Sequence, residues 1–146
     1  LLPPPQKKQR ADGLDSRRAR IAVVGAGSWS QGWHLPQLHR NPKSEVAAIV
    51  DPSTAGSWNS GSLKSTEELG KLYDVPVFSD ICDLLQSDTA ASVDGVLIAS
   101  SHTSHYGIAI DAMKAGLHIL VEKPMTVDVT QAHKLALAVA SYEKTF

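Results

Sequence analysis

Three features of this 146-residue chain predict an α/β fold built on a parallel sheet of about five strands. Short runs rich in β-branched residues alternate with segments of helical apolar spacing, as in βαβ units. The fourth and fifth runs are apolar nearly throughout, which is expected of strands covered by helices on both faces. The chain is also long enough to bury one core, and 42% of its residues are hydrophobic.

The predicted strands are short apolar runs bounded by turn residues or by helical segments. The first run, "RIAVV", is broken by Gly25, and the last, "HILVE", is closed by Lys123 and Pro124. The third, "VPVF", is the shortest. In chain order the five strands are predicted at Arg20–Val24, Glu45–Asp51, Val75–Phe78, Val93–Ser100 and His118–Glu122.

Capping residues mark the starts of three predicted helices. Ser65 and Glu68 are three residues apart and form a capping-box pattern. Asp80 and Asp128 precede the third and the last helical segments, the last with Gln131 three residues on. The five helical segments are predicted at Ser30–His39, Ser65–Tyr73, Asp80–Leu85, Ser104–Ala115 and from Asp128 onward.

Two further residues shape these helices. Pro36 lies inside the first helical segment, where proline removes a hydrogen bond and clashes with the preceding turn. A kink or a restarted helix is therefore expected there. Gly116 follows the fourth helix and is typical of a helix stop.

Charge is concentrated at the start of the chain. Residues 1–20 carry six basic and two acidic side chains, a net charge of +4, so the remainder carries −5 of the total of −1. Proline and charge without an apolar period predict a disordered tail over residues 1–19, ahead of a folded domain over residues 20–146. The tail has no aromatic residue for base stacking, so a nucleic-acid arm is the weaker alternative and no nucleic-acid partner is expected. The Ser- and Gly-rich segment Ser53–Lys64 is predicted to be a mobile loop.

Composition also limits the compartment. No apolar run approaches the ~20 residues of a membrane helix, so no membrane partner is expected. Cys82 is the single cysteine, which excludes an intramolecular disulfide and fits a reducing, cytoplasmic setting. The chain begins with Leu rather than Met and is interpreted as processed or incomplete, so a missing targeting signal means little.

A glycine-rich loop follows the first predicted strand. In "VVGAGSWSQG", Gly25, Gly27 and Ser30 occupy a G-x-G-x-x-small frame. The first glycine makes the tight turn, the second lets the backbone approach a pyrophosphate, and the third position needs a small side chain for helix–strand packing. The amides that open the following helix, at Ser28 and Trp29, would face the phosphates at the positive end of the helix dipole.

An acid at the end of the second strand completes the dinucleotide pattern. Asp51 follows Gly25 by twenty-six residues, and its carboxylate could accept hydrogen bonds from ribose hydroxyls. It would repel a 2′-phosphate, and no Arg or Lys follows until Lys64, which favours NAD over NADP. These features predict a Rossmann-type doubly wound sheet. A domain that binds S-adenosylmethionine can carry a similar loop and acid. The other alternative is that the glycines only allow the chain to turn and bind no ligand.

Polar residues after the fourth strand extend the candidate site. Ligands of parallel α/β sheets bind beyond the C-terminal strand ends, near the switch in strand order. Ser100, Ser101 and His102 are therefore expected over the cofactor, with His105 at the start of the next helix. Two histidines without a third ligand in sight do not make a zinc site, so no metal is predicted.

Three segments together resemble the N-terminal domain of the Gfo/Idh/MocA oxidoreductase family, which includes glucose–fructose oxidoreductase and inositol dehydrogenase. They are "IAVVGAGSWS", "VDGVLIASSHTSHY" and "AGLHILVEKPMTVD". The resemblance runs from about Arg20 to the end, and the Glu-Lys-Pro motif after the fifth strand is its most specific part.

The resemblance implies a role for each matching residue. The glycine loop would line the pyrophosphate, an acid would hold the adenosine ribose, and polar residues would lie along the nicotinamide side. The loop residues are Gly25, Gly27 and Ser30, and the acid is Asp51. The polar residues of the nicotinamide side are Ser100, His102 and His105. Glu122 and Lys123 would reach the nicotinamide and its ribose, and Lys123, which also approaches the substrate, is the candidate catalytic residue. The alternative is that Lys123 has no catalytic role and forms an ion pair with Glu122 or with a distant carboxylate.

The sequence departs from the family pattern at two places. The family often has Thr-Pro-Asn where this chain has Ser100-Ser101-His102. A histidine usually stands in the first helix where this chain has Trp33, with His34 one position later. The resemblance also implies a cis peptide bond between Lys123 and Pro124.

The family's second domain, an open and largely antiparallel sheet, is not recognisable in this chain. That domain commonly forms the substrate pocket and the oligomer contacts, and we expect it and the sixth strand to be absent. The predicted function is an NAD(P)-binding domain of an oxidoreductase acting on CH–OH groups of sugars, polyols or related small molecules, inactive alone. A non-catalytic dinucleotide-binding module is the alternative, and a domain for S-adenosylmethionine is a further one.

Overall fold

A computed structural model of the chain describes residues 17–52 and 63–146. Most of the predicted disordered tail and of the predicted loop Ser53–Lys64 lie outside the described residues. The described part contains a five-stranded parallel sheet in the order β3-β2-β1-β4-β5. The strands are β1 (Ala19–Val24), β2 (Ser44–Val50), β3 (Val77–Phe78), β4 (Gly95–Ile98) and β5 (His118–Val121).

Helices connect the strands and lie on both faces of the sheet, which confirms the predicted doubly wound α/β architecture. A π-helical turn (Ser30–His34) runs into α1. A 3₁₀ turn (Asp88–Ser92), which the sequence pattern did not indicate, precedes β4. The α-helices are α1 (Leu35–Arg40), α2 (Thr66–Tyr73), α3 (Ile81–Gln86), α4 (His105–Lys114) and α5 (Val129–Ala140).

The predicted helix caps are confirmed. The Ser65 hydroxyl accepts from the Glu68 amide, and the Glu68 carboxylate accepts in return from the Ser65 amide, so both halves of the capping box are present. The carboxylates of Asp80 and Asp128 likewise accept from the amides three residues later. Each cap satisfies an amide that has no partner within its helix.

A kink or a restarted helix was expected at Pro36, and the structure shows a change of helix type instead. Pro36 lies in the first turn of α1, directly after a π-helical turn, and the backbone stays helical across the junction at His34 and Leu35. The preceding segment forms a π-helical turn in which the amide of Leu35 donates to the carbonyl of Ser30, five residues earlier. This turn therefore holds one residue more than an α-helical turn.

Two predicted strands are shorter than their apolar runs. The predicted third strand starts at Val75, but β3 is only Val77–Phe78, because Pro76 has no N–H and contributes only a carbonyl, which accepts from Ile49 at 3.1 Å. β4 spans Gly95–Ile98 rather than Val93–Ser100.

Alternate strand residues face two hydrophobic clusters on opposite sides of the sheet. One packs β-strand residues against α3, α4 and α5 and includes Leu84, Ile98, Ala109 and Leu135, all fully buried. The other packs strand residues against α1 and α2 and is formed by Val23, Ala26, Leu35, Val46, Ile49, Leu69 and Leu97. The core is thus split by the sheet into two layers, as in other doubly wound folds.

The expectation that helices cover both faces of the fifth strand is wrong for the described residues. β4 is buried throughout, but β5 alternates, with Ile119 buried and Leu120 55% exposed. β5 is the outermost strand of the described sheet, and its buried Ile119 belongs to the cluster that contains α4 and α5, on one face of the sheet. Its edge meets the end of the chain, because the Ile119 amide donates to the Thr145 carbonyl at 2.8 Å.

Candidate functional site

The C-terminal ends of β1 and β4 form the floor of the candidate site, at the point where the strand order reverses. Gly25 follows β1 with a φ of +96°, a conformation that side chains disfavour. A Cβ atom there would lie 2.5 Å from the amide nitrogen of Ser100, so the loop passes against the end of β4 only because the residue is glycine. The requirement for Gly25 is therefore internal to the fold.

Gly27 differs from Gly25 in its surroundings. A Cβ at Gly27 would meet no atom of the described residues within 4 Å, so no contact among them requires glycine there. Ser30, the third residue of the frame, is fully buried beneath the loop, and its hydroxyl donates to the Gly25 carbonyl. Gly27 thus presents open space above the loop, whereas Ser30 holds the loop from below.

Asp51 is joined directly to the glycine loop. Its Oδ2 atom accepts a hydrogen bond from the amide of Ala26 at 2.6 Å. The backbone of Asp51 also extends the sheet, because its amide donates to the Phe78 carbonyl at 3.0 Å. The acid predicted at the end of the second strand therefore lies against the loop that the sequence paired with it.

Two clefts open on either side of this junction. The first, here called the β2-side cleft, has a volume of about 420 Å³. The second, here called the β5-side cleft, has a volume of about 430 Å³. Gly25, Gly27, Asp51 and Ser100 line both. A ligand with two ends could therefore cross the glycine loop from one cleft to the other.

The β5-side cleft collects most of the remaining predicted site residues. It is lined by side chains from the glycine loop, from the turn after β4 and from the Glu-Lys-Pro motif. These are Ser28, Trp29, Ser101, His102, His105, Glu122 and Lys123. Among the described residues, no group of three or more His, Cys, Asp or Glu side chains could hold a metal ion.

The carboxylate of Glu122 is held by the first helix. Its Oε1 atom accepts from the Trp29 indole Nε1 and from His34 Nε2, each at 2.8 Å, and its Oε2 atom accepts from the Lys123 amide at 3.1 Å. The hydrogen bond from Trp29 is the main cause that lowers the pKa of Glu122, and the hydrogen bonds from the Lys123 amide and His34 add to it. Glu122 is therefore an ionised acceptor with three donors.

Lys123 is left without an ion pair in the part of the chain that the structure describes. The alternative of a salt bridge to Glu122 is not observed, because that carboxylate is occupied by Trp29 and His34. No carboxylate of residues 17–52 or 63–146 lies within 4.0 Å of the ammonium group. The Lys123–Pro124 peptide bond is cis, as expected from the resemblance.

His105 is buried at the base of the β5-side cleft. Its Nδ1 atom lies 2.9 Å from the carbonyl oxygen of Pro124, and its Nε2 atom lies 3.1 Å from that of Ser100. The imidazole therefore bridges the end of β4 and the turn that carries Lys123. The imidazole of exposed His102 lies beside it, with 5.6 Å between the two ring centroids.

Two residues that sequence reasoning did not assign to the site are brought into it by the fold. The side-chain amide of Gln31 donates to the carbonyls of Ala26 and Lys64 and accepts from the Lys64 amide. His34 reaches Glu122 through the π-helical turn. In the sequence, His34 stands one position after the place where the family usually has a histidine, and this is the signal that could have found it. No pattern in the sequence links Gln31 to Lys64.

Comparison with protein families identifies the chain. A family model described as "Oxidoreductase family, NAD-binding Rossmann fold" matches residues 19–146.

The chain belongs to the Gfo/Idh/MocA oxidoreductase family.

Its curated relatives within this family include the rhizopine catabolism protein MocA of Rhizobium meliloti, which is 31% identical over 128 residues. An inositol 2-dehydrogenase of Corynebacterium glutamicum is 32% identical over 114 residues. These matches cover 86% and 77% of this chain but only 35% and 30% of the relatives. The chain therefore spans about a third of the length of the curated relatives that it matches.

Solved structures also match most of this chain. KijD10, a 3-ketoreductase from Actinomadura kijaniata solved with NADP, is 25% identical, with a TM-score of 0.70. GenD2 from gentamicin A biosynthesis, solved with NAD, is 26% identical, with a TM-score of 0.69. The matches cover 86% and 85% of this chain and 36% and 32% of those chains. A nicotinamide dinucleotide is therefore the cofactor class that the family supports.

The residues present fit such a cofactor. The space above Gly27, which no described residue fills, would admit the pyrophosphate close to the backbone. No helix among the described residues is long and apolar enough to cross a bilayer.

Proposed function

We propose that the β2-side cleft binds the adenosine half and the β5-side cleft the nicotinamide half of NAD. Gly25, Gly27 and the amides of Ser28 and Trp29 would hold the pyrophosphate between them. The complete protein would oxidise or reduce a CH–OH group of a sugar, polyol or related small molecule, in line with the activities named for its relatives. This domain alone would bind the cofactor without turnover.

The observation that carries the proposal is the contrast between the two loop glycines. Gly25 is required by its positive φ and by the contact with Ser100, but no described residue gives such a reason for glycine at position 27. A glycine that faces unfilled space at the junction of two clefts is explained by a ligand that needs close approach to the backbone. Asp51 then lies on the adenosine side, where its carboxylate would accept from a ribose hydroxyl.

Lys123 is the residue that we assign to chemistry. Hydride transfer is the chemistry that the bound nicotinamide supplies. Lys123 lines the β5-side cleft, and its ammonium has no carboxylate partner among the described residues. It can therefore donate a hydrogen bond to a substrate oxygen and stabilise negative charge that develops there. Glu122, held by three donors, positions the turn from which Lys123 extends.

NAD is proposed as the preferred cofactor because of the charge of Asp51. An ionised carboxylate at the adenosine ribose accepts from the 2′- and 3′-hydroxyls and repels a 2′-phosphate. Its tie to the Ala26 amide keeps it at the pyrophosphate loop.

Calorimetric titration of the chain with NAD, NADP and S-adenosylmethionine tests the proposal. We expect NAD to bind more tightly than NADP and S-adenosylmethionine not to bind. Binding of S-adenosylmethionine alone would overturn the assignment. Sustained NADH production by this chain with polyol or sugar substrates would overturn the statement that it does not turn over alone.

A further inference from the structure

We propose that His105 carries a proton on both ring nitrogens when the site is formed, and that this doubly protonated ring clamps the Lys123 turn to the end of β4. His105 would then be a positioning residue for the chemistry assigned to Lys123, and it would make the site sensitive to pH. The clamp itself concerns hydrogen bonds within this chain. Its effect on cofactor binding rests on the proposed function.

The two ring nitrogens of His105 both face backbone carbonyl oxygens. Nδ1 lies 2.9 Å from the oxygen of Pro124, and Nε2 lies 3.1 Å from that of Ser100. A carbonyl oxygen can only accept, and a neutral imidazole has a single N–H, with a lone pair on its other nitrogen. A neutral ring could therefore satisfy one carbonyl and would turn a lone pair toward the other. Only the imidazolium donates to both.

The burial of His105 gives this second proton a structural consequence. The side chain is fully buried, so bulk water cannot supply the donor that a neutral ring lacks. A buried acceptor without a donor is destabilising, whereas a hydrogen bond from a charged donor is stronger than one from a neutral donor. The two carbonyl oxygens belong to the turn after β4 and to the turn after β5. The second proton therefore decides whether the ring joins these turns or releases one of them.

The charges that line the β5-side cleft act on this proton in both directions. His105 is the first residue of α4, and the positive end of that helix opposes a second proton, as does the Lys123 ammonium. The carboxylates of Asp51 and Glu122 line the same cleft and favour it. His102 is the remaining titratable residue among the described residues that line the cleft. Negative charge on a bound ligand would add to the side that favours the imidazolium.

The helices that pack against α4 direct their own charges elsewhere. The carboxylates of Asp80 and Asp128, which cap α3 and α5, accept from amides of those helices. The other titratable side chains of the two helices are exposed to solvent, and they are Cys82, Asp83, His133 and Lys134. The cleft and the helix dipole of α4 are therefore the surroundings that govern the charge of His105.

A bound dinucleotide would favour the clamp. Its pyrophosphate, proposed above Gly27, would bring negative charge into the cleft that His105 underlies. Because the coupling between two binding equilibria is reciprocal, the second proton on His105 should in turn tighten the binding of the dinucleotide. Histidine changes its charge between about pH 5 and pH 8, so the clamp should be present at the acidic end of this range and be lost as pH rises.

Glu122 acts with the opposite sign. Its pKa is lowered from 4.5, mainly by the hydrogen bond from Trp29, so its contribution is lost only as pH falls below 4.5. The site should therefore bind its cofactor best between the pH at which Glu122 gains a proton and the pH at which His105 loses one.

Nuclear magnetic resonance of the chain labelled with ¹⁵N in its histidines tests the protonation directly and needs no ligand. His105 is assigned through bonds from its own backbone, so no variant is required. At pH 6 we expect hydrogen on both nitrogens of His105, and the loss of one as pH is raised. Exposed His133 is the internal control and should titrate without protected N–H protons. A single N–H on His105 from pH 6 upward would overturn the clamp.

Equilibrium titrations with NAD at pH 6 and pH 8 test the effect on the site. For the wild-type chain we expect the Kd for NAD to rise about fivefold from the lower to the higher pH. His105→Gln, whose side chain does not titrate, should bind NAD more weakly at pH 6 and show the same Kd at both pH values. His133→Gln is the matched control and should keep the wild-type pH dependence. Thermal unfolding shows whether each variant folds.

The outcomes separate the clamp from the proposed function. Absence of NAD binding at both pH values would remove the proposed function, and the resonance experiment would still decide the clamp. An equal pH dependence in His105→Gln would assign the effect to another group and overturn the role of His105 as a positioning residue. A wild-type Kd that is independent of pH would overturn that role as well and would leave the proposed function standing.

Discussion

His34 Nε2 lies 2.8 Å from Glu122 Oε1, and this contact joins the first helix to the motif that follows β5. The family pattern places a histidine one position earlier, where this chain has Trp33. The π-helical turn accommodates one extra residue and brings His34 to the acid, while Trp33 stays 56% exposed. The π-helical turn thus compensates for the shift of the histidine by one position in the sequence.

The two neighbouring residues should differ in their importance for stability. His34→Ala removes a hydrogen bond to a carboxylate and is expected to lower the free energy of unfolding by about 1 kcal/mol. Trp33→Ala is the matched control and should change it by less than about 0.5 kcal/mol, because the side chain is exposed. Urea unfolding of both variants measures this. A larger loss for Trp33→Ala would contradict the assigned contact.

The ionised Glu122 carboxylate should make stability depend on pH. Its pKa is lowered in the folded chain from an ordinary value of 4.5, so its contribution is present at neutral pH and is lost as pH falls through the folded-state pKa, below 4.5. Glu122→Gln should therefore be destabilised by about 1 kcal/mol at pH 7 and should approach the wild-type chain in acid. Urea unfolding at pH 7 and pH 3.5 measures the difference. Glu143→Gln, on the exposed last segment, should show no such convergence.

The two loop glycines should respond differently to alanine. Gly25→Ala places a Cβ 2.5 Å from the Ser100 amide nitrogen at a positive φ, so we expect a loss of more than about 2 kcal/mol or failure to fold. Gly27→Ala has room and should keep its melting temperature but bind NAD at least about tenfold more weakly. Thermal unfolding and calorimetry separate these effects. Unchanged NAD affinity in Gly27→Ala would argue against a pyrophosphate above this residue.

Lys123→Ala should affect turnover more than cofactor affinity in the complete enzyme. Lys123 lines the β5-side cleft and does not line the β2-side cleft, where we propose that the adenosine binds. We expect the Kd for NAD to change by less than about threefold and kcat to fall by about 100-fold or more. Lys134→Ala, exposed on α5, is the control. Equal losses in NAD affinity and kcat would assign Lys123 to cofactor binding alone.

Much of the fold could be predicted because its signals are local. Strand runs such as "AVV" at β1, the capping box at Ser65 and the stop at Gly116 each depend on residues within one turn or one strand. Predictions that depended on neighbours were less complete. Leu120 is exposed because no helix of the described residues covers its side of β5. An apolar run in the sequence does not show whether helices cover one face of the strand or both.

The candidate site divides in the same way. The sequence by itself determined the glycine frame, Asp51 as its acid and the Glu-Lys-Pro turn, because the spacing of residues along strands and loops carries those signals. Only the tertiary structure decided that Glu122 is held by Trp29 and His34, that Lys123 is left unpaired among the described residues, and that Lys64 shares a cleft with Asp51. The physical reason is that parallel strands bring distant loops to one edge of the sheet, where hydrogen bonds such as those of Gln31 select partners that sequence separation does not reveal.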